Sequence, residues 1–275
     1  MTFFEYLKVL FSDNIFLYAL LVGVFLSLCA ALLGVSLVLK KYSMIGDGLS
    51  HVSFAAIAVA VATENSPLLI SLPIVILVAF LLLRVSENSK TKGDAAVAVI
   101  STAGLAIGAI AARGSNIDIE GYMFGSIVAV TLQDVIITVV VTALTVGAYI
   151  VFYNKIFAVT FDEAFSKATG GKTGIYNLII AVLTAVTVVV GMKLIGTLLI
   201  SSLTVFPVVA SLKVSKTYKS SVIFAAVFSL IAFVLGFALS TCIETLPLSS
   251  AIIFCNLLII AVCLGYSAIK KKKIL

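Results

Sequence analysis

The chain has 275 residues, of which 62% are hydrophobic and only 11% charged, with a mean hydropathy of +1.28. Soluble domains are about a quarter charged, and one core of this size cannot hide so large an apolar excess, so a soluble globular fold is excluded. With 12 Asp and Glu and one His the chain is poor in catalytic groups, and the Lys and Arg behind its net charge of +6 stand in short clusters between apolar runs. That pattern signals membrane topology and not a nucleic-acid surface.

A hydrocarbon core about 30 Å thick takes about 20 helical residues. Apolar runs of that length predict an all-α, polytopic helical bundle with spans at 14–39, 44–62, 66–84, 94–112, 133–153, 175–195, 198–212, 220–240 and 247–269. The count is nine, or eight if the short 198–212 segment is a half-helix that enters and leaves on one side. Lys and Arg favour cytoplasmic loops. With the N-terminus outside and the C-terminus inside, fifteen of the 18 cations fall on the inner side, ending in Lys270 to Lys273, while Lys8, Arg113 and Lys193 remain outside. The connections 113–132 and 154–174 are too short for separate folded modules, so residues 1–275 form one membrane domain with its bundle over about 14–269. The thiols Cys29, Cys242, Cys255 and Cys263 show no metal-ligand spacing and are expected to be buried and apolar.

Intramembrane ionisable groups cost about 3 kcal/mol each at the helix centre, so they mark function or pairing. One cluster stands out, Ser43-Met44-Ile45-Gly46-Asp47-Gly48-Leu49-Ser50-His51-Val52-Ser53. Asp47 and His51, four apart, share a helix face. Carboxylate oxygen with imidazole nitrogen is a half-shell for a divalent transition metal. The same pair also suits a buried packing contact among Gly46, Gly48 and Ser50, and spacing does not choose between them. Further along, Asp94 and Asp134 precede apolar runs as helix N-terminal carboxylates do. Glu64, Asp118, Glu120 and Glu244 read as solvated outer-loop acids, Lys193 as a snorkelling cation, and Asn256 as an interhelical hydrogen bond. The segment 191–211, interrupted by Gly191, Gly196 and Pro207 and bearing Ser201, Ser202 and Thr204, has the broken, hydroxyl-lined character of a translocation path, and the same residues suit close helix packing.

The inner loop 159–172 reads as a short amphipathic helix with Phe161, Ala164, Phe165 and Ala168 on one face, Asp162 and Glu163 within it, and Gly170 and Gly171 to end it. Its exposed apolar stripe suggests a docking surface, and equally suits a face laid against its own bundle or the lipid headgroups. Gly171-Lys172-Thr173 has the ending of a phosphate-binding loop, but Ser166 stands where the first Gly must be, so the chain itself binds no nucleotide.

These residues resemble the membrane permeases of bacterial ABC importers for zinc, manganese and iron. Gly46-Asp47-Gly48-Leu49-Ser50-His51 resembles that family's Gly-Asp-x-x-Ser-His signature, and Glu120-Gly121-Tyr122-Met123-Phe124-Gly125-Ser126 resembles its Leu-Phe-Gly segment. Residues 160–170 are similar to its acidic coupling segment, 190–207 to the long motif that follows, and 236–247 to the penultimate loop. Phe54 and Ala55 depart from the Pro that many members carry near this point. The resemblance implies a fold similar to cobalamin-type importer permeases, in the bacterial inner membrane. It implies a homodimer served by cytoplasmic ATPase subunits and an extracytoplasmic metal-binding protein, with no permanently bound cofactor. Asp47 and His51 would contact a manganese, zinc or iron ion in transit, beside a path lined by Ser50, Ser201, Ser202, Thr204 and Pro207. The segment 160–171, with Phe161, Asp162, Glu163, Ala164, Phe165 and Ala168, would couple ATP hydrolysis on the partner to alternating access. The rival reading is an ion-coupled secondary carrier or channel that needs no ATPase.

Overall fold

The structure, a computed structural model, describes residues 14–88, 90–113, 119–125, 130–243 and 245–272. Lys8, Asp118, Ser126, Glu244 and Lys273 lie outside these residues. Among the described residues there are twelve helices and no strand: α1 (Asn14–Leu39), α2 (Ser43–Ala62), α3 (Pro67–Asn88), α4 (Lys90–Arg113), α5 (Ile119–Phe124), α6 (Leu132–Val151), α7 (Tyr153–Phe161), α8 (Glu163–Ala168), α9 (Thr173–Ile195), α10 (Thr197–Val214), α11 (Tyr218–Cys242) and α12 (Leu248–Lys272). Nine of these are long and apolar enough to cross a membrane, and they follow the predicted spans in order. A helix satisfies every backbone amide within its own segment, which is why an apolar chain in lipid takes this form.

The stretch 198–212 is not a half-helix. It belongs to α10, an unbroken helix of 18 residues, about 27 Å long at 1.5 Å per residue. Pro207 lies inside it, where the missing amide leaves the Leu203 carbonyl without its helical donor.

The interior is built around α1, α2, α9 and α10. Helix α2 packs against α3, α4, α9 and α10; α1 packs against α6, α9, α10 and α11; α12 closes on α10 and α11. The central α2 and α9 are mostly buried, whereas α3, α4 and α12 turn most of their surface outward, as lipid-facing helices do. Lipid tails are as apolar as Leu, so association rests on close fit at small residues. At Gly34 a Cβ would come 2.0 Å from the Thr204 carbonyl oxygen, so α1 and α10 touch there backbone to backbone.

Other expectations are corrected. Helix α4 begins at Lys90, so Asp94 lies inside its first turns and not ahead of them. The inner segment is two helices, not one: α7 ends at Phe161 and α8 starts at Glu163. Asp162 between them has φ −145 and ψ 89, and its side chain accepts the Phe165 amide at 2.8 Å. An Asp that caps its own successor ends the helix it was counted in. Gly170, at φ +81, closes the segment as expected. Asn256 donates to Ile252 of its own helix at 3.1 Å, so its donor bond is intrahelical. Cys29, Cys255 and Cys263 are buried, but Cys242, the last residue of α11, is exposed.

Candidate functional site

Asp47 and His51 lie about 6 and 12 Å along α2 from Ser43 at the helical rise, on the inner half by the lysine topology. Their shared face holds His51 Nε2 3.7 Å from Asp47 Oδ1, with the His51 side chain 16% exposed and the Asp47 side chain 43% exposed. That separation is too long for a hydrogen bond. Two ligands about 2.1 Å from one tetrahedral ion sit about 3.4 Å apart, a spacing within a few tenths of an ångström of this pair. Nδ1 of His51 is buried and has no hydrogen-bond partner; packing alone orients the ring. No third His, Cys, Asp or Glu joins the pair among the described residues.

Helix α10 seats α2 beside this pair. The Ser50 hydroxyl donates to the Asp47 carbonyl at 2.7 Å and lies 3.2 Å from Ser201 Oγ. Ser201 donates to Thr197 of its own helix at 3.0 Å. The Thr204 methyl stands 3.6 Å from where a Cβ on Gly46 would be. Ser50, Ser201 and Thr204 are thus gathered around the Asp47 turn. Ser202 and Pro207 are buried, and the Ser202 hydroxyl is returned to Leu199 of its own helix.

One helical turn outward, Phe54, Ile57 and Met192 form a buried apolar cluster with Val61 and Tyr122 packed on it. Polar donors therefore give way to a hydrophobic layer immediately above His51. At the same level α5 docks on the joint between α9 and α10. Gly125 (φ +82) and Gly196 (φ +88) both have left-handed backbones, and a Cβ on Gly196 would come 2.6 Å from the Gly125 nitrogen. Only Gly adopts this conformation cheaply and leaves room for the opposing chain.

Two polar contacts escaped the sequence reading. Lys193 does not simply snorkel: its Nζ is 2.8 Å from Asp134 Oδ1, and Asp134 is almost fully buried. Asp134 is also the N-terminal carboxylate expected of it, in a capping box with Thr131 at the start of α6. Asp134→Asn, which spares most of the cap but orphans Lys193, is expected to destabilise the purified protein by about 1–3 kcal/mol. A thermal-unfolding midpoint equal to wild type would show that the pair contributes nothing.

The second lies on the cytoplasmic side. Glu163 Oε2 is 3.3 Å from Lys40 Nζ and Glu163 Oε1 is 2.9 Å from Lys167 Nζ. The buried Asn177 of α9 donates to Glu163 at 3.3 Å and accepts from Lys40. Burial raises the Glu163 pKa, but the Lys167 hydrogen bond, the Lys40 charge and Asn177 outweigh it and hold the carboxyl below its ordinary value. A depressed folded-state pKa means that this contribution is present above the ordinary Glu value and is lost as the pH falls through the depressed one. Beside it, the Phe161 ring packs on Phe157 at 5.0 Å and on Tyr218 at 5.9 Å between centroids. Tyr218 in turn hydrogen bonds Tyr149 and Ser36 of α1. Phe165 instead faces outward, 66% exposed. Sequence separation hid these contacts: Lys40 and Glu163 are 123 residues apart. The one local hint was Asn177, an amide set in an apolar run.

A bundle of nine membrane-length helices with a polar pair on its central helix defines a multi-pass membrane protein. Residues 12–266 match the ABC 3 transport family, and the chain belongs to it. It is similar to the high-affinity zinc uptake system membrane protein ZnuB of Haemophilus influenzae, with 26% identity over 86% of this chain and 91% of that one. It is also similar to the manganese import system permease protein ScaB of Streptococcus gordonii, with 24% identity over 91% and 92% of the two chains. Its fold matches a chain of PsaBC from Streptococcus pneumoniae in complex with Fab, with a TM-score of 0.84 at 24% identity over 95% of each chain. A second match is an inward-facing conformation of a putative metal-chelate type ABC transporter, with a TM-score of 0.69 at 15% identity over 93% of this chain and 86% of that one. The protein is a multi-pass permease of the bacterial inner membrane.

Proposed function

We propose that this chain imports a divalent transition metal, manganese or zinc and by the same ligand chemistry iron, through alternating access driven by ATPase subunits bound to its inner face. The observation that carries the reading is the Asp47–His51 pair on α2, the sole His in the chain set 3.7 Å from a carboxylate. Relatives named for zinc and manganese uptake support the cargo. Oxygen and imidazole donors suit all three ions. Two protein ligands hold a metal weakly enough to release it, and water or the same pair from a second copy in a homodimer completes the shell. An extracytoplasmic metal-binding protein delivers the ion. On the inner face α8 meets the ATPase through Phe165, with Ala164 and Ala168 on its flank and Phe161 behind it.

The direct test is reconstitution in vesicles. Metal uptake is expected only when the ATPase partner and ATP are both present. Flux down a gradient through this chain alone would overturn the ATP-driven reading in favour of a secondary carrier. Phe165→Glu is expected to weaken ATPase association about tenfold or more, as loss of a buried aromatic anchor does, measured by co-purification. Unchanged assembly and uptake would remove α8 from the interface.

A further inference from the structure

Helix α8 is tied to the turn that leads into α2 by one charged cluster. Lys40 stands one residue past α1, and its side chain is only 6% exposed. The turn it belongs to is closed by backbone hydrogen bonds from Lys40 to Ser36, Lys41 to Val38, Tyr42 to Leu37 and Ile45 to Tyr42. Lys41 takes a left-handed φ of 65° to make it. These bonds tie the turn together, so a displacement of Lys40 carries to the first turn of α2, one turn before Asp47. Farther along, α2 is held to α10 at Gly46–Thr204 and Ser50–Ser201. Glu163 is the other end of the grip: the first residue of α8, it binds Lys40 and Asn177 with its two oxygens.

We propose that the Lys40–Glu163–Asn177 cluster is the linkage that transmits the ATPase-driven movement of α8 to the Asp47–His51 pair, Glu163 pulling the α1–α2 turn through Lys40 and the start of α9 through Asn177. Lys40 and Glu163 are positioning residues: neither touches the cargo. A nearly buried ammonium that loses its carboxylate is strained, so α8 cannot move away without either carrying Lys40 along or depriving it of that carboxylate. The Phe161–Tyr218 contact lies alongside and engages α11 and Ser36 of α1.

This inference rests on the ATP-driven reading above. The test uses the purified permease with its ATPase partner in vesicles, with metal uptake, ATP hydrolysis and complex assembly measured together. Glu163→Gln and Lys40→Gln are each expected to lower metal transported per ATP by about 2- to 30-fold, with assembly and hydrolysis retained. Because the two act as one unit, the double variant is expected to be no worse than the poorer single one. Losses that multiply in the double variant, or wild-type coupling in both singles, overturn the linkage. If Glu163→Gln fails to assemble, Glu163→Asp keeps the charge on a shorter stem, and wild-type coupling there overturns it as well. Failure of the two readings is distinguishable: no ATP-dependent uptake by the wild-type complex refutes the reading beneath, whereas a coupled wild type with coupled variants refutes only the linkage.

Discussion

Metal uptake by cells that depend on this permease is expected to fall by about 100-fold or more in Asp47→Asn or His51→Ala, since even indirect partners of a metal cost 10- to 100-fold and these two would be direct ligands. Stability should hardly change. Asp47 is half exposed and sits 3.7 Å from His51, so their mutual attraction contributes less than about 1 kcal/mol. This split between function and stability separates the two readings that spacing left open. A packing pair would lose thermal stability when broken and keep transport in whatever protein remained folded. Radioactive-metal uptake with normalised membrane expression decides it, and normal transport in both variants would remove the pair from the mechanism.

The second large effect concerns packing. Gly34→Ala places a methyl 2.0 Å from the Thr204 carbonyl oxygen, and backbone cannot step aside as a flexible side chain can. The helices α1 and α10 must separate, at a cost of about 3 kcal/mol or more. That movement also disturbs Thr204 against Gly46, directly beside Asp47. Gly147→Ala in α6 is the matched control: nothing lies within 4 Å of the added carbon, and Ala favours the helix by up to about 1 kcal/mol. Heating the detergent-purified proteins and measuring the monodisperse fraction compares them. Equal thermal midpoints would mean that the α1–α10 contact is loose.

The two predictions have unlike origins. The Asp47–His51 spacing was legible at once, because an i, i+4 pair on a helix is local geometry and a lone His in so apolar a chain draws attention. Gly34 was not singled out. A Gly in a lipid-embedded helix has several uses, and which one applies depends on the helix that crosses it.

The coupling segment shows the same division more finely. The Phe161 and Phe165 periodicity placed an amphipathic stretch in the right loop, and Gly170 ended it where expected. The break at Asp162 was missed, since an Asp reads equally as a polar-face residue or as a cap, and only the Phe165 amide it receives distinguishes them. Once the break is made, Glu163 reaches inward to Lys40 and the edge of Phe161 rests on Tyr218, while Phe161, Ala164, Phe165 and Ala168 all stay exposed, as the periodicity predicted.

Hydropathy and cation placement alone determined that the chain is a bundle of membrane-length helices, eight or nine in number, their order, and the end of each carrying the lysines. These follow from the cost of exposing amides and charges to hydrocarbon, paid residue by residue. Tertiary structure alone decided what each polar group faces: Lys193 meets Asp134, Lys40 meets Glu163, and Asn256 turns back on its own helix. Helices in lipid associate through a few close contacts between surfaces far apart in the chain, and those partners have no signature within either segment.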